Sequence, residues 1–414
     1  MALNFIWFSF FMVAFAIALF KWLVTGDVLI FKTITDGIFK SAGDSLDLSF
    51  KLVGIMTLFL GFMNIGEKAG AIRFLSRIVS PFFGKLFPDV PSGHPAMGQM
   101  MMNFSANLLG LDNAATPFGL KAMESLQTLN PHKDRASDSQ IMFLVLHASG
   151  LTLIPISIIA MRASVSPPAA NPTDIFIPCM IATFAATMAA LIIVSIKQKI
   201  NLFNPIMLSW IFGVSIVIGL LISYLKFFLS QPEIEVFSSV LSNGMIILIF
   251  IVFLIGGVYK KVNVFESFVE GAKGGFEISI KLIPYLVAML VAISVLRSSG
   301  AFEFITVNLT HAFASMGFDT QFVSALPTAL MKPLSGSGSR GMMIDNMNTF
   351  GADSFSGRLS AIFQGSSDTT FFVVAVYFGS VGIKNTRYSI PAMLLADLVG
   401  IITAIFVAYL FFGT

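Results

Sequence analysis

The stretch Asp47-Leu-Ser-Phe-Lys-Leu52 returns 230 residues later as Glu277-Ile-Ser-Ile-Lys-Leu282, with an acid, a serine and a lysine in the same places. Only 11% of the 414 residues are charged, so polar matches in one register weigh more than apolar ones. The register continues without a gap: Gly70, Ala71 and Phe74 match Gly300, Ala301 and Phe304, Met101 and Ser105 match Met331 and Ser335, and Ser137-Asp138 match Ser367-Asp368. After a shorter connection, Ile177-Pro178 realign with Ile390-Pro391. An internal duplication follows, with residues 1–203 as the first repeat and 204–414 as the second.

Hydrophobic residues make up 56% of the chain and mean hydropathy is +0.86, outside the balance of a soluble domain. Nine stretches approach the roughly 20 apolar residues that a spanning helix needs: 4–24, 49–67, 140–160, 175–197, 206–228, 243–259, 279–297, 368–384 and 390–413. Met1 to Val24 lacks a basic leader and reads as an uncleaved first span. The stretches 27–47 and 262–277 are amphipathic and are expected to lie along an interface. The net charge of +3 is spread without a Lys/Arg run, so nucleic acid is not an expected partner; the bilayer is. The lone cysteine, Cys179, forms no intrachain disulfide.

Basic residues instead report topology. With Lys68, Arg73, Arg77, Lys85, Lys133, Arg135, Lys197 and Lys199 inside, counting forward leaves the acidic stretch 231–243 outside and Lys260, Lys261, Lys384 and Arg387 inside. Lys51 and its equivalent Lys281 then fall on opposite sides. The expected fold is an all-α polytopic membrane protein of two inverted-topology repeats with broken or re-entrant helices at the centre.

Two segments, 91–120 and 326–366, are too rich in Gly, Pro and polar residues for plain spans and too apolar for solvent loops. The first carries Asn103, Ser105, Asn107, Asn113 and Thr116; the second carries Ser335, Ser337 and Ser339 alternating with glycines before Arg340. Neither reads as an ordinary helix. Irregular backbone at membrane depth survives only inside protein or along an aqueous cavity, since each unpaired N–H or C=O costs several kcal/mol in hydrocarbon. Broken helices also aim free amides at a solute, and a guanidinium suits a carboxylate or phosphate. The alternative is that the small residues only let helices pack closely. Asp138 and Asp368 open spans at equivalent positions, where capping competes with a binding role. Asp397 lies within an apolar span, where a carboxylate carries a coupling ion or pairs with a buried cation.

No two of His94, His132, His147 and His311 are spaced as zinc ligands, and no hydrolase string or P-loop ending occurs. Neither a metal nor a cofactor is expected, and no enzyme nucleophile and base can be named.

At these residues the chain looks familiar. Asn107-Leu-Leu-Gly-Leu-Asp-Asn-Ala-Ala-Thr-Pro-Phe-Gly-Leu-Lys-Ala-Met123 resembles the signature of the spore maturation protein A family. Leu334-Ser-Gly-Ser-Gly-Ser-Arg-Gly341 and Gln364-Gly-Ser-Ser-Asp-Thr-Thr-Phe371 resemble that of spore maturation protein B. Both families are similar to the gate, or nucleoside-recognition, domain shared with concentrative nucleoside transporters and the membrane part of ferrous iron transporters. The resemblance implies a transport-type fold in the inner (cytoplasmic) membrane of a bacterium.

The expected function is secondary transport of a small polar or anionic organic solute, nucleoside-like or a carboxylate, at a site between the repeats. Asn103, Ser105, Asn107, Asn113, Thr116, Ser335, Ser337, Ser339, Arg340, Gln364, Ser367, Asp368 and Thr369 are the candidate solute contacts, with Asp138 and Asp397 for ion coupling. The rival is a membrane scaffold or morphogenesis factor without transport. A homo-oligomer is compatible with either.

Overall fold

The computed structural model describes residues 2–91, 93–110 and 112–413; Asn113 lies in a stretch, 112–114, whose side chains fall outside the described ones. Seventeen α-helices and no β-strand run through the described residues. The first half carries α1 (Ala2–Phe20), α2 (Ile30–Ala69), α3 (Ala71–Leu86), α4 (Pro95–Leu108), α5 (Asp112–Leu129), α6 (Asp138–Ser149), α7 (Ile156–Ser164) and α8 (Phe176–Gln198). The second carries α9 (Pro205–Phe228), α10 (Gln231–Tyr259), α11 (Val264–Ser298), α12 (Ala301–Ser315), α13 (Leu326–Met331), α14 (Gly336–Phe350), α15 (Phe355–Gly365), α16 (Thr370–Ser380) and α17 (Ser389–Phe412).

Eight segments of the described residues are long and apolar enough to cross a membrane: Phe5–Thr25, α2, α8, α9, Val236–Tyr259 in α10, α11, Phe355–Ser380 and α17. The chain is therefore an all-α, multi-pass membrane protein. On α9 only Met207, Ile218 and Leu225 are buried, and Ile216, Val217, Leu220 and Phe227 face outward, an apolar exterior that suits lipid.

Three expectations change. The stretch 140–160 is not one span, because α6 stops at Gly150, whose φ of 61° is left-handed and easy for glycine, and Pro155 blocks continuation. The 12 residues of α6, at about 1.5 Å each, fall well short of the roughly 30 Å hydrocarbon core. The amphipathic stretches are not separate interfacial helices but the leading parts of α2 and α11, which run unbroken for 40 and 35 residues. The polar segments 91–120 and 326–366 do form helices, though short ones. His94 accepts from the Ala96 N–H ahead of Pro95 at the first turn of α4, and Ser335 Oγ accepts from the Gly338 N–H at the start of α14.

The duplication is visible in local conformation. Gly70 joins α2 to α3 at φ 94°, and Gly300 joins α11 to α12 at φ 86°. The same left-handed corner therefore recurs in the register read from the sequence.

Two compact units divide the chain, and each draws on both halves. One comprises Met1–Leu60, Ser157–Pro172 and Ala272–Gln364. Its internal tie is Arg162, whose side chain is fully buried. Arg162 donates Nη1 to Ala352 O at 2.7 Å and Nε to Pro172 O at 3.3 Å, and pairs Nη2 with Asp353 at 3.3 Å. Asp353 in turn accepts from the Ala170 N–H at 2.7 Å. Charge and hydrogen bonds thus hold the loop after α7 to the loop before α15.

The other unit comprises Gly61–Ile156, Thr173–Gly271 and Gly365–Thr414. Its most extensive helix contact joins α8 to α17, the realigned helices that end the two halves. Gly400 permits this approach: a Cβ there would stand 3.2 Å from the Ala186 Cβ and 3.4 Å from Ser366 O. Close backbone packing at small residues is the usual way helices associate in lipid, where no hydrophobic gain drives them together.

Arg162 is buried but the Asp353 side chain is 36% exposed, so losing the guanidinium strands a part-exposed carboxylate and the carbonyls it served, at a cost of about 1–3 kcal/mol. Arg162→Ala is expected to lower stability by that order and Arg162→Lys to restore only part of it, read as unfolding midpoints of the purified protein in SDS titration. Equal stability of Arg162→Ala and the parent would contradict the role given to this tie.

Candidate functional site

The second unit holds a polar joint where three helices stop. Ser137 and Gln140 form a reciprocal capping box at the start of α6, the Ser/x/x/Gln pattern of a helix N-terminus. At its other end the Ala148 carbonyl accepts from the Asp368 N–H at 2.8 Å, and the Leu108 carbonyl closing α4 accepts from the Leu153 N–H at 2.8 Å. Freed backbone groups of broken helices are thereby satisfied by one another, as burial in an apolar medium demands.

Within this joint α6 places His147, buried at 6% exposure, a residue not singled out from the sequence as a contact. Asn103 and Asn107 share one face of α4, four residues apart, and reach it from the side. His147 Nδ1 lies 3.0 Å from Asn103 Oδ1 and 2.7 Å from Asn107 Nδ2. Asn103 Nδ2 donates to Ala115 O at 2.7 Å, which fixes the orientation of that amide. The other ring nitrogen, Nε2, stands 3.8 Å from Asp368 Oδ2, and the Asp368 side chain is about half exposed, at 47%. The Tyr377 ring meets the imidazole edge-on, with centroids 4.7 Å apart at 63°. Tyr377 occupies the position equivalent to His147 in the second repeat. A residue that touches its own repeat equivalent marks a local two-fold relation between α6 and α16.

Ser367 and Thr369, both buried, flank Asp368 in the break before α16. Next to them Thr370 Oγ1 donates to Asp397 Oδ2 at 2.6 Å, so the carboxylate of α17 is buried against the first turn of α16. Ser105, expected beside the two asparagines, points away from them because alternate residues on a helix lie on nearly opposite faces. Its hydroxyl is buried and finds no hydrogen-bond partner among the described residues. Thr116 is exposed on α5.

Asp138 sits apart from the joint at the far end of α6. It pairs with Arg387 Nη1 at 2.6 Å and accepts from the Tyr388 hydroxyl at 3.3 Å, beside a cavity of about 400 Å³ lined also by Asp89, Asn130, His132 and Arg135. Gln198 Nε2 donates to the same hydroxyl at 2.9 Å. Burial pushes the Tyr388 phenol above its ordinary pKa.

The first unit carries its own polar group at the α13–α14 joint. Ser335 Oγ lies 3.2 Å from Ser337 Oγ, and the fully buried Ser339 donates to Thr328 O at 2.8 Å. Lys332, missed from the sequence and buried, donates Nζ to Gln364 O at 2.7 Å, while Gln364 Oε1 finds no partner among the described residues. Arg340 is half-buried in the first turns of α14. A further pair, Arg297 with Asp345, packs its guanidinium over Phe302 at 4.4 Å. Among the described residues no group of three or more His, Cys, Asp or Glu is placed to hold a metal ion.

A profile of the Gate family, described as nucleoside recognition, matches residues 49–165 and again 279–384. Spore maturation protein B of Bacillus subtilis (strain 168) is 48% identical over 174 residues, which cover 42% of this chain and 96% of that protein. Spore maturation protein A of the same organism is 43% identical over 160 residues, covering 39% and 81% respectively. No solved structure matches.

The two polar residues of α4 are expected to respond differently to truncation. Asn103→Ala strands the Ala115 carbonyl and the imidazole and should cost about 1–3 kcal/mol, whereas Ser105→Ala removes a hydroxyl without a protein partner and should be close to neutral. Thermal melts of both variants check this, and a large loss in Ser105→Ala would show a partner there.

Proposed function

The chain belongs to the Gate family, described as nucleoside recognition, as a fused spore maturation protein of the A and B types, and from that membership we propose that it is a secondary transporter of a small polar or anionic organic solute. Its place would be the inner membrane of a bacterium, as a monomer or a homo-oligomer. The observation that carries this reading is the joint of α4, α6 and α16. There Asn107 and the half-exposed Asp368 converge on a buried imidazole, at a point where helices too short to span a bilayer end against each other. Polar groups concentrated at broken helices are what transporters use to hold a solute near the bilayer midplane. The joint lies between the two halves of the sequence, since Asn103, Asn107 and His147 come from one and Asp368 and Tyr377 from the other.

Other parts of the molecule fit this use. Asp397, buried against Thr370 at the head of α16, is placed to sense a change at that break. Asp138, held by Arg387 and Tyr388, fits a structural role better than ion coupling.

A second reading, a membrane scaffold or morphogenesis factor, is favoured by the fact that both relatives are named for spore maturation. It requires a dry joint that no solute enters.

A ligand that binds the folded state raises the melting point, by the equivalent of about 2.7 kcal/mol at a hundredfold excess over its Kd. Purified protein screened by thermal shift against uridine, uridine monophosphate, succinate and glutamate should respond to at least one, with the response reduced at least tenfold in apparent affinity by Asn107→Ala. No response to any, together with no uptake of any by proteoliposomes, would remove the transporter reading.

A further inference from the structure

We propose that His147 and Asp368 form a proton-binding pair through which solute movement is coupled to a proton gradient, with Asp368 exchanging the proton with the exposed side and His147 holding it in the buried joint. The coupling role rests on the transporter reading above; the proton site itself does not.

The case is one of hydrogen-bond complementarity. Asn103 cannot turn its amide, because its Nδ2 donates to the Ala115 carbonyl at 2.7 Å and the flipped group would set oxygen against oxygen. Its Oδ1 is therefore fixed toward His147 Nδ1 at 3.0 Å and requires an N–H from the ring. Asn107, at 2.7 Å from the same nitrogen, can present either its oxygen or its nitrogen, since the two ends of an amide are interchangeable in shape. On the opposite edge Nε2 faces the Asp368 carboxylate at 3.8 Å, which also requires an N–H.

A neutral imidazole has one N–H for these two acceptors. With the proton on Nδ1, the lone pair of Nε2 faces an ionised carboxylate. With the proton on Nε2, Nδ1 accepts from Asn107 Nδ2 at 2.7 Å, and Asn103 Oδ1 at 3.0 Å is left without the ring N–H. Either neutral form leaves one of the two acceptors, the buried Asn103 Oδ1 or the half-exposed Asp368 carboxylate, without a ring N–H, and one additional proton supplies both. Bound at Nε2, it gives an imidazolium that donates to Asn103 on one edge and pairs with the carboxylate on the other; bound on Asp368, it gives a carboxylic acid that donates to Nε2. The 3.8 Å separation is an ion-pair distance slightly beyond a direct hydrogen bond, so transfer between the two sites needs only a small closure of the break.

The surroundings are consistent with a single-proton site. From α16 the Tyr377 ring packs on the imidazole; from α4 come the two amides; from α8 Thr187 meets Ser149 two residues beyond the histidine; and α17 contributes Asp397 only at the level of Thr370. From α5, which also packs on α6, comes the Ala115 carbonyl, while its Lys121 and Glu124 are exposed; Asp368 is the charged group that faces the ring. It is also the more exposed partner, at 47% against 5%, so a proton reaches the ring by way of the carboxylate. In the second repeat the equivalent position is Tyr377, so the titrating ring occurs once.

Four histidines are present, and replacing His94 by asparagine, which keeps an N-cap acceptor for α4, and His132 and His311 by glutamine leaves one imidazole to observe. The full-length triple variant, labelled with ring ¹⁵N-histidine and held in nanodiscs, is expected to show His147 gaining a second N–H between pH 8 and pH 5. The same titration after Asp368→Asn should move the midpoint down by about one pH unit or more, the size of effect an opposite charge at this distance produces. A ring that stays neutral across that range, or a midpoint unmoved by Asp368→Asn, overturns the proton site. In proteoliposomes holding a pH-sensitive dye, the solute identified by thermal shift should drive proton movement that His147→Gln abolishes. Solute uptake without proton movement overturns the coupling and leaves the transporter reading intact. A titrating His147 with no uptake of any solute overturns the transporter reading and the coupling together, while the proton site stands.

Discussion

Every helix that ends inside a membrane leaves backbone carbonyls and amides that water cannot reach, and the second unit is organised by how it meets that demand. The Asp368 N–H closes the Ala148 carbonyl of α6, and the Leu153 N–H closes the Leu108 carbonyl of α4. The first bond joins segments 220 residues apart in sequence and the second joins segments 45 apart, and each would forfeit several kcal/mol if broken in hydrocarbon. The side chains that line the joint are placed by this pairing. His147 lies one residue before Ala148, and Asp368 is the donor itself.

The duplication supplies the geometry and its divergence supplies the chemistry. Gly70 and Gly300 keep the same left-handed corner in both copies, and α8 and α17 pack as equivalent partners. At the joint the copies differ. His147 meets Tyr377 across the local two-fold, and the equivalent aspartates take different partners: Asp138 is bound by Arg387 and Tyr388, Asp368 faces the imidazole. One copy thus uses its carboxylate to tie helices together, and the other leaves it half exposed beside a titratable ring.

Much of the fold was legible in the sequence because it is written in features that span many residues. A repeat register held by Ser49, Lys51 and Asp138 against Ser279, Lys281 and Asp368 does not depend on tertiary structure, and seven of the nine apolar stretches fall in single helices long enough to span, the exceptions being 140–160 and 368–384, where α6 and α16 are short. What escaped was local or long-range. The run Leu151-Thr-Leu-Ile-Pro155 is apolar and counts toward a span, although Gly150 and Pro155 break the backbone there. Asn103, Ser105 and Asn107 read together as solute contacts in the sequence, yet the helical period separates Ser105 from the other two. His147 and Arg162 find their partners 221 and 191 residues further along, at Asp368 and Asp353, and no window of sequence holds such pairs together. The one available signal for His147 was an ionisable ring inside an otherwise apolar run, which in a membrane segment is a functional hypothesis by default.

The central claim is that the joint of α4, α6 and α16 is a wet, solute-accessible site rather than buried packing. Because Cys179 is the lone cysteine and is buried, Cys179→Ala gives a background in which a single introduced thiol at Asn107→Cys can be followed in intact membranes. A charged, membrane-impermeant thiosulfonate should label it, at a rate that a bound solute slows. Labelling only after denaturation in SDS would mean a closed, dry joint and would contradict the account.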